Sequence, residues 1–287
     1  MSLQEFIVTY EKQLRITFFI VMLVIMAVWE FIAPKRQLII SRSVRWSNNL
    51  AIVFLNSYLL RIVFPAAAVG AAVFASAHGW GLLNYYALPF WLSVILSVVA
   101  LDFFIYLQHV MVHAIPLLWR LHRVHHADPD FDFTTGSRFH PFEILFSMCV
   151  KFAVIFVLGP PVVAVILFEI ILNISSMFNH GNVDLPESVD RILRLFLVTP
   201  DMHRVHHSIE DDETNSNFGF CLPWWDRLFG TYRAQPREGH TDMTIGIHRF
   251  RDAKQVSWLH GMLILPFLGK LSGYTINRRT WSKPDEP

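Results

Sequence analysis

The residues of this sequence that could do chemistry are histidines. The chain has 14 of them among 287 residues, and eight fall in three short motifs. The motifs contain His109 and His113, then His122, His125 and His126, and then His203, His206 and His207. At this frequency, chance gives the pattern His-x-x-His-His roughly 0.03 times per chain, so its two occurrences are not accidental. Because residues three and four positions apart share a helix face, the motifs predict three faces of imidazoles that could meet at a metal centre.

The number of imidazoles indicates how many ions they could hold. Eight nitrogen donors are more than one octahedral ion can accept, so the count predicts two metal ions. Imidazole suits zinc, copper, iron and nickel. Cys149 and Cys221 are too far apart for a cysteine-based zinc site or a disulfide framework. The sequence also lacks the Glu-x-x-His motif of carboxylate-bridged di-iron bundles.

The elements that must position these histidines are membrane helices. Of all residues, 53% are hydrophobic and 16% are charged, whereas soluble domains carry about 25% charged residues. A bilayer span takes about 20 residues, and the apolar runs cover residues 16–32, 50–77, 87–107 and 144–175. Gly159-Pro160-Pro161 divides the last run and predicts a helical hairpin or two short tilted spans. We therefore expect an all-α membrane protein with about four transmembrane helices or helical hairpins.

The distribution of positive residues predicts the orientation of these spans. The connector at 35–45 carries four Lys or Arg residues, whereas the loop at 78–86 carries none. Positively charged loops favour the cytoplasm. The connector, the histidine motifs and the C-terminal third are then cytoplasmic, and they form a helical cap that carries the di-metal site. No cleavable signal peptide is apparent, since Glu5 and Glu11 interrupt the first residues.

Local signals place the second and third motifs on helices. Pro116 suits the first turn of one helix, and Pro129 ends it soon after the second motif. Thr199 and Pro200 are typical of an N-cap followed by proline at the first helical position. This start predicts that the third motif lies on the exposed face of its helix.

Asp102 precedes the first motif at helical spacing. A carboxylate within a membrane span is costly and needs a partner. Asp102 could accept a proton from a ligating imidazole and so fix its tautomer. Alternatively, it lies at the helix end and meets interfacial water.

Beyond its histidines, the sequence resembles the fatty acid hydroxylase superfamily, also called the sterol desaturase family. The resemblance rests on the order and spacing of the three motifs and on four further segments. These are RFHPFE at 138–143, HGNVDLP at 180–186, NSNFG at 215–219 and WDRLFGT at 225–231. It covers roughly residues 95–235. Members of this family are membrane-embedded helical enzymes with a cytosolic di-metal centre, which use oxygen and external electrons to oxidise lipids.

The resemblance implies roles for particular residues. The eight motif histidines would be metal ligands, and His180 sits where the family commonly supplies another. Some members have a further histidine four residues earlier, where this chain has Ser176, so the coordination number of one metal stays open. His140 would either support a ligand or be structural, and Asn182 and Asn217 could bind a metal-bound water. The remaining histidines are expected to be ordinary: His78, His240, His248 and His260.

The predicted organisation has three parts. Residues 1–94 form the N-terminal transmembrane spans, residues 95–235 the catalytic region, and residues 236–287 a C-terminal interfacial helix and tail. The run at 256–271 contains His260 and Lys270, so an interfacial or packed helix is expected there, not a span.

The resulting hypothesis is a di-iron oxygenase in the bacterial inner membrane or the endoplasmic reticulum. Two iron ions and the co-substrate oxygen would hydroxylate or desaturate a fatty acyl, sterol or related lipid that enters laterally from the bilayer. Zinc could replace iron on isolation, because it outranks ferrous iron in affinity. No haem- or flavin-binding segment is evident, so a separate ferredoxin or cytochrome-type protein would supply electrons.

Two alternatives stay open from the sequence, a zinc-dependent membrane hydrolase and a metal transporter. Transport sites lie near the bilayer midplane on interrupted helices, whereas these motifs follow a span or lie in polar sequence. A net charge of +1 gives no basic surface for nucleic acid, and no such partner is expected.

Overall fold

The computed structural model describes residues 1–86 and 88–269, and the regular structure in these ranges is helical, with isolated β-bridges and no strand. Five segments are long and apolar enough to cross a membrane. The all-α membrane fold is therefore confirmed, and the predicted number of about four spans rises to five. These segments are Glu11–Ile32, Arg42–Tyr85, Phe90–Ala114, Pro141–Leu158 and Val162–Asn179.

The helices are numbered in chain order. The longer ones are α2 (Glu11–Ile32), α3 (Arg42–Val63), α4 (Ala67–Ala77), α6 (Phe90–Ala114), α7 (Pro116–His126), α8 (Pro141–Leu158) and α9 (Val162–Asn179). The shorter ones are α1 (Leu3–Thr9), α5 (Leu82–Tyr85), α10 (Glu187–Leu193), α11 (Pro200–His206), α12 (Asp211–Thr214), α13 (Trp224–Phe229), α14 (Gly239–Asp242), α15 (Ala253–Ser257) and α16 (Leu259–Ile264). Short 3₁₀ turns occur at Thr135–Ser137 and Leu265–Phe267.

The Gly159-Pro160-Pro161 break separates two helices of 18 residues each, α8 and α9. Gly159 ends α8 in the left-handed conformation with a φ of 64°. A Cβ at this position would lie 2.4 Å from the carbonyl oxygen of Trp80. Glycine therefore permits both the turn and the close approach of the loop after α4. Each of the two helices is long and apolar enough to cross a membrane.

Helix α9 forms the centre of the membrane region. It packs against α2, α4 and α6. Of the residues in its apolar stretch, 56% are buried, compared with 11% of those in the apolar stretch of α2. Such burial on most sides is typical of a central helix, whereas α2 presents most of its surface to the surroundings. The central helix ends at Asn179, directly before His180.

Residues 115–140 and 180–269 fold together at one end of the bundle, and we refer to them as the cap. The connector between α2 and α3 is bound to it. Lys35 Nζ lies 2.8 Å from Asp184 Oδ1, and Arg36 donates to the carbonyl of Met243 at 2.7 Å. The positive residues used to predict the orientation therefore bind the cap. The connector and the histidine motifs lie at the same end of the bundle.

The C-terminal part of the cap packs on α3 and α7. The predicted interfacial or packed helix is two short helices, α15 and α16, followed by a 3₁₀ turn. Val256, Met262 and Leu265 are buried against Ile52 and Val124, so the packed form is the one observed. Lys270 and the tail to residue 287 lie outside the described residues.

A buried ion network fixes the loop that follows the second motif. The Arg45 guanidinium pairs with both carboxylate oxygens of Asp128, and its Nε donates to Asp132 Oδ2 at 2.6 Å. All three side chains are fully buried. Thr135 Oγ1 accepts from the same guanidinium at 3.1 Å. Because a buried charge is tolerated only when it is paired and hydrogen-bonded, this network holds the loop in one conformation.

Replacing Arg45 with methionine is expected to destabilise the cap strongly. The substitution leaves the buried Asp132 carboxylate without its cation and Asp128 with only Arg138, at 3.5 Å, at a cost of about 3–5 kcal/mol. Thermal unfolding of the purified protein in detergent measures the effect. Arg61→Met is the matched control, since Arg61 is an exposed arginine on the same helix. Equal melting temperatures for the two variants would show that the network is dispensable.

Candidate metal centre

Nine imidazoles converge where the bundle meets the cap. The last turns of α6 carry the first motif, α7 carries the second, and α11 with the following residue carries the third. His180 follows α9 directly. All nine are buried, and the most exposed, His109, is 7% accessible.

The predicted start of α11 is confirmed, but the predicted exposure of its histidines is wrong. The Thr199 side chain accepts from Met202 N at 3.3 Å, and Pro200 occupies the first turn. However, His203, His206 and His207 are all completely buried. The reason is that the polar sequence around them folds over α11 as part of the cap, which helix periodicity alone does not reveal.

The nine imidazoles form two groups. In each group, the candidate ligand atoms lie within 4.8 Å of one another. The first group contains His109, His113, His122, His126 and His206. The second contains His125, His180, His203 and His207. The second and third motifs are therefore each divided between the two groups. Helix α7 contributes imidazoles to both groups, and so does α11 with the residue that follows it.

The contact between His125 and His180 shows which ring nitrogens of the second group carry lone pairs. The Nδ1 atoms of these rings lie 3.1 Å from Thr135 O and 2.8 Å from Ser176 O. A carbonyl oxygen only accepts, so each Nδ1 holds the proton and each Nε2 carries a lone pair. The two Nε2 atoms are nevertheless 3.2 Å apart. Burial lowers the pKa of His125 well below its usual range and that of His180 to about 3, so neither ring gains a second proton at neutral pH.

The first group shows the same arrangement. Nδ1 of His109 faces the carbonyl of Phe218 at 2.8 Å, and Nδ1 of His206 faces that of Ser216 at 2.7 Å. The buried Nε2 atoms of both rings have no hydrogen-bond partner in the described ranges. Their lone pairs therefore point into the group without a donor.

A metal ion fits both groups. Two nitrogens bound at right angles to an ion at about 2.1 Å lie about 3.0 Å apart, and His180 Nε2 lies 3.1 Å from His203 Nε2. The first group offers five imidazoles and the second four. A cation between these nitrogens would convert a repulsive contact into a coordination sphere.

A cavity of about 350 Å³ opens onto both groups from the membrane region. The imidazoles in its wall are His109 and His122 of the first group and His125 and His203 of the second. Such a volume is within the usual range for small-molecule sites. A molecule in this cavity would contact both groups at once.

Comparisons with known proteins agree with this arrangement. The fatty acid hydroxylase family model matches residues 94–231, a range that contains all nine imidazoles. An ornithine lipid hydroxylase, OlsE from Rhizobium tropici, is 29% identical over 230 residues, which cover 77% of this chain and 67% of that protein. The chain belongs to the fatty acid hydroxylase superfamily.

Further relatives in the superfamily are more distant. The human alkylglycerol monooxygenase (Homo sapiens) is 28% identical over 57% of this chain and 35% of its own length. The mouse cholesterol 25-hydroxylase (Mus musculus) is 27% identical over 50% of this chain and 47% of its own length. The chain thus spans two thirds of OlsE and between a third and a half of these two. No solved structure gives a significant match.

Glu143, to which the sequence analysis assigned no role, contacts one of the nine imidazoles. Its carboxylate accepts from Nδ1 of His122 at 2.6 Å, and both side chains are buried. A carboxylate in this position fixes the tautomer of a ligating histidine and increases its basicity. The available signal was an isolated acidic residue at the start of an apolar helix, which usually marks a function.

Asp102 does not contact an imidazole, and both roles considered for it are wrong. The carboxylate accepts from Cys221 N at 3.1 Å, Leu222 N at 3.2 Å and Trp225 Nε1 at 2.9 Å. It is 2% exposed, so it does not meet interfacial water either. Helical spacing placed Asp102 below the first motif but could not show that the segment after the third motif covers it.

His140 takes the structural role, one of the two expected for it, and the side-chain amides of Asn182 and Asn217 bond to the backbone. His140 caps α8 by accepting from Phe142 N at 3.2 Å. Asn182 exchanges two hydrogen bonds with the backbone of Arg36. The side-chain amide of Asn217 donates to two backbone carbonyls of the cap, and its oxygen accepts from the backbone.

Two further interactions hold the carbonyls that orient the imidazoles. Asp226 accepts from the backbone N–H groups of Phe218 and Gly219, both at 2.8 Å, and so fixes the peptide that faces His109. Burial raises the pKa of Asp226 to about 6, which leaves it mostly ionised at neutral pH. Ser176 donates to Gly136 O at 2.5 Å, and its own carbonyl faces His180. Ser176 therefore binds the turn at Gly136 through its hydroxyl and orients His180 through its carbonyl.

Glu143→Gln is expected to reduce metal affinity by about 10- to 100-fold, the usual effect of losing a carboxylate that orients a ligand. An amide oxygen can still accept from His122, but it contributes no negative charge. Metal content after dialysis against a graded chelator measures this effect. Glu187→Gln removes an exposed carboxylate in α10 and should bind metal as the wild type does. Unchanged affinity in Glu143→Gln would contradict the assigned role.

Proposed function

We propose that this chain is a membrane-bound di-iron oxygenase that hydroxylates or desaturates a lipid, with oxygen as co-substrate. The observation that carries the proposal is the pair of bare Nε2 atoms of His125 and His180, 3.2 Å apart, beside a cavity that opens to the membrane region. Only a cation makes this contact favourable, and the cavity gives an apolar substrate access to it. The relatives are named as lipid hydroxylases and monooxygenases, which favours insertion of oxygen over desaturation.

The nine imidazoles are the proposed ligands. His109, His113, His122, His126 and His206 would hold one ion, and His125, His180, His203 and His207 the other. A pair of redox-active ions bound there supplies the chemistry that reduces oxygen and oxidises an unactivated C–H bond. We propose iron, since zinc is redox-inert, although zinc can compete for the same nitrogens on isolation. The second group would supply four nitrogens to its ion, one fewer than the first.

The chain's own contribution is to orient the ligands and to admit a lipid. A second cavity of about 240 Å³ shares Leu60, Phe139 and Leu172 with the first. Its wall includes Phe19 in α2 and Val53 in α3. A lipid could thus enter laterally between α2 and α3, pass through apolar surroundings and reach the imidazoles without crossing water.

The remaining features of the proposal concern topology and partners. Residues 1–94 would anchor the protein, residues 95–235 form the catalytic region, and residues 236–287 complete the cap and continue into the tail. We propose that the cap faces the cytoplasm, at the bacterial inner membrane or the endoplasmic reticulum, because the basic connector lies at that end. A separate ferredoxin or cytochrome-type protein would then deliver electrons to the cap.

The geometry favours an oxygenase over the two alternatives. A transporter binds its ion near the bilayer midplane on interrupted helices, whereas these imidazoles lie at the ends of α6 and α9 and in the cap. A catalytic zinc of a hydrolase is usually held by three protein ligands and keeps an open position, whereas the two groups offer five and four imidazoles.

The proposal predicts that His125→Ala abolishes both lipid oxidation and the metal content of the second group. Lipid extracts of cells that express the wild type should contain a species with one added oxygen, or with two hydrogens fewer, that the variant lacks. His240→Ala is the control, because His240 is a cap histidine outside both groups. Equal product from the wild type and His125→Ala would reject the oxygenase.

A further inference from the structure

Three charged side chains lie at the end of the larger cavity that is remote from the imidazoles. They are Arg15 of α2, Lys151 of α8 and Glu169 of α9. Lys151 Nζ lies 2.8 Å from Glu169 Oε1, and Arg15 Nη1 lies 2.7 Å from Glu169 Oε2. The side chains of Lys151 and Glu169 are 12% and 6% accessible. Charged groups within membrane helices are costly and usually mark a function.

The two cations of this cluster have more donors than the protein uses. Arginine offers five N–H groups and lysine three. Within the described ranges, Arg15 Nη1 contacts Glu11 Oε1 at 3.1 Å and Glu169 Oε2 at 2.7 Å, and Lys151 donates one hydrogen bond, to Glu169. The other N–H groups of both cations, three on Arg15 and two on Lys151, have no acceptor among the described residues, and both side chains line the cavity. This surplus suits a ligand group that is rich in acceptor oxygens and negatively charged.

The distance from the charged cluster to the imidazoles limits the length of a molecule that could reach both. Glu143, Ser147 and Lys151 follow one another at intervals of four along α8, and all three line the cavity. Glu143 contacts His122, so Lys151 lies about 12 Å further along the helix, at 1.5 Å per residue. The intervening wall is apolar at Ile144 and Met148. An extended alkyl chain between the two ends would lie along this face of α8.

We propose that Arg15 and Lys151 bind the anionic group, a carboxylate or a phosphate, of a single-chain amphiphilic lipid. The chain of this lipid then runs along α8, and a carbon about 12 Å from its anionic group reaches the imidazoles. Glu169 bridges the two cations, with one carboxylate oxygen on each. Oxidation of that carbon rests on the proposed function, whereas binding does not.

Binding of chain-matched probes to the full-length protein in a non-ionic detergent tests the subsite without turnover. The probes are palmitate, hexadecyl phosphate and the neutral hexadecanol. At a pH where the acids are ionised, at least one should bind about tenfold more tightly than hexadecanol, because charge-assisted hydrogen bonds are lost with the neutral head. The tighter of the two anions identifies the headgroup as carboxylate or phosphate.

Three variants locate the effect. Lys151→Gln should reduce anion binding to the level of hexadecanol, and Lys151→Arg should retain the preference. Lys12→Gln removes an exposed cation from the same end of α2 and should change nothing. Equal affinity of the wild type for all three probes would overturn the proposal, as would an unchanged preference in Lys151→Gln, and the cluster would then only tie α2, α8 and α9 together. If the preference holds but no lipid is oxidised in cells, the subsite stands and the oxygenase fails.

Discussion

The structure depends on one constraint, which is that buried imidazole nitrogens are held with their lone pairs facing one another. The Nε2 atoms of His125 and His180 lie in contact with no proton between them, because both Nδ1 atoms bond to backbone carbonyls. Burial prevents protonation from relieving the repulsion, since it lowers the pKa of both rings. A fold that holds several imidazoles in this way carries a cost that a bound cation repays. The metal ions are therefore expected to contribute to the stability of the cap as well as to its chemistry.

The ionic interactions of the cap serve to orient these imidazoles. Arg45 holds Asp128, Asp132 and Thr135, whose carbonyl faces His125. The Asp226 carboxylate holds the peptide that faces His109, and the Glu143 carboxylate accepts directly from His122. The imidazoles of His109, His122 and His125 are thus each oriented by a residue of a different helix or loop. This explains why a small cap of short helices can hold so many imidazoles in one orientation.

The sequence predicts the chemistry of this site better than its surroundings. The spacing of the motifs identifies the imidazoles, and hydropathy identifies the membrane helices, because both depend on local periodicity. Periodicity does not reveal which element covers a residue, so it gave the wrong environment for Asp102 and the third motif. Periodicity also could not predict that each His-x-x-His-His motif is divided between two groups, since this division depends on how α7 and α11 face one another. The sequence also did not predict the contact of Glu143 with His122, because these residues are 21 positions apart.

The central claim is that the nine imidazoles hold two ions through nitrogen alone. X-ray absorption at the iron edge, on the purified chain loaded anaerobically with ferrous iron, tests it together with a metal count. The account predicts two iron ions per chain, each surrounded by imidazole nitrogens at about 2.0–2.2 Å. A single ion per chain, or a shell dominated by carboxylate oxygen or sulfur, would contradict it.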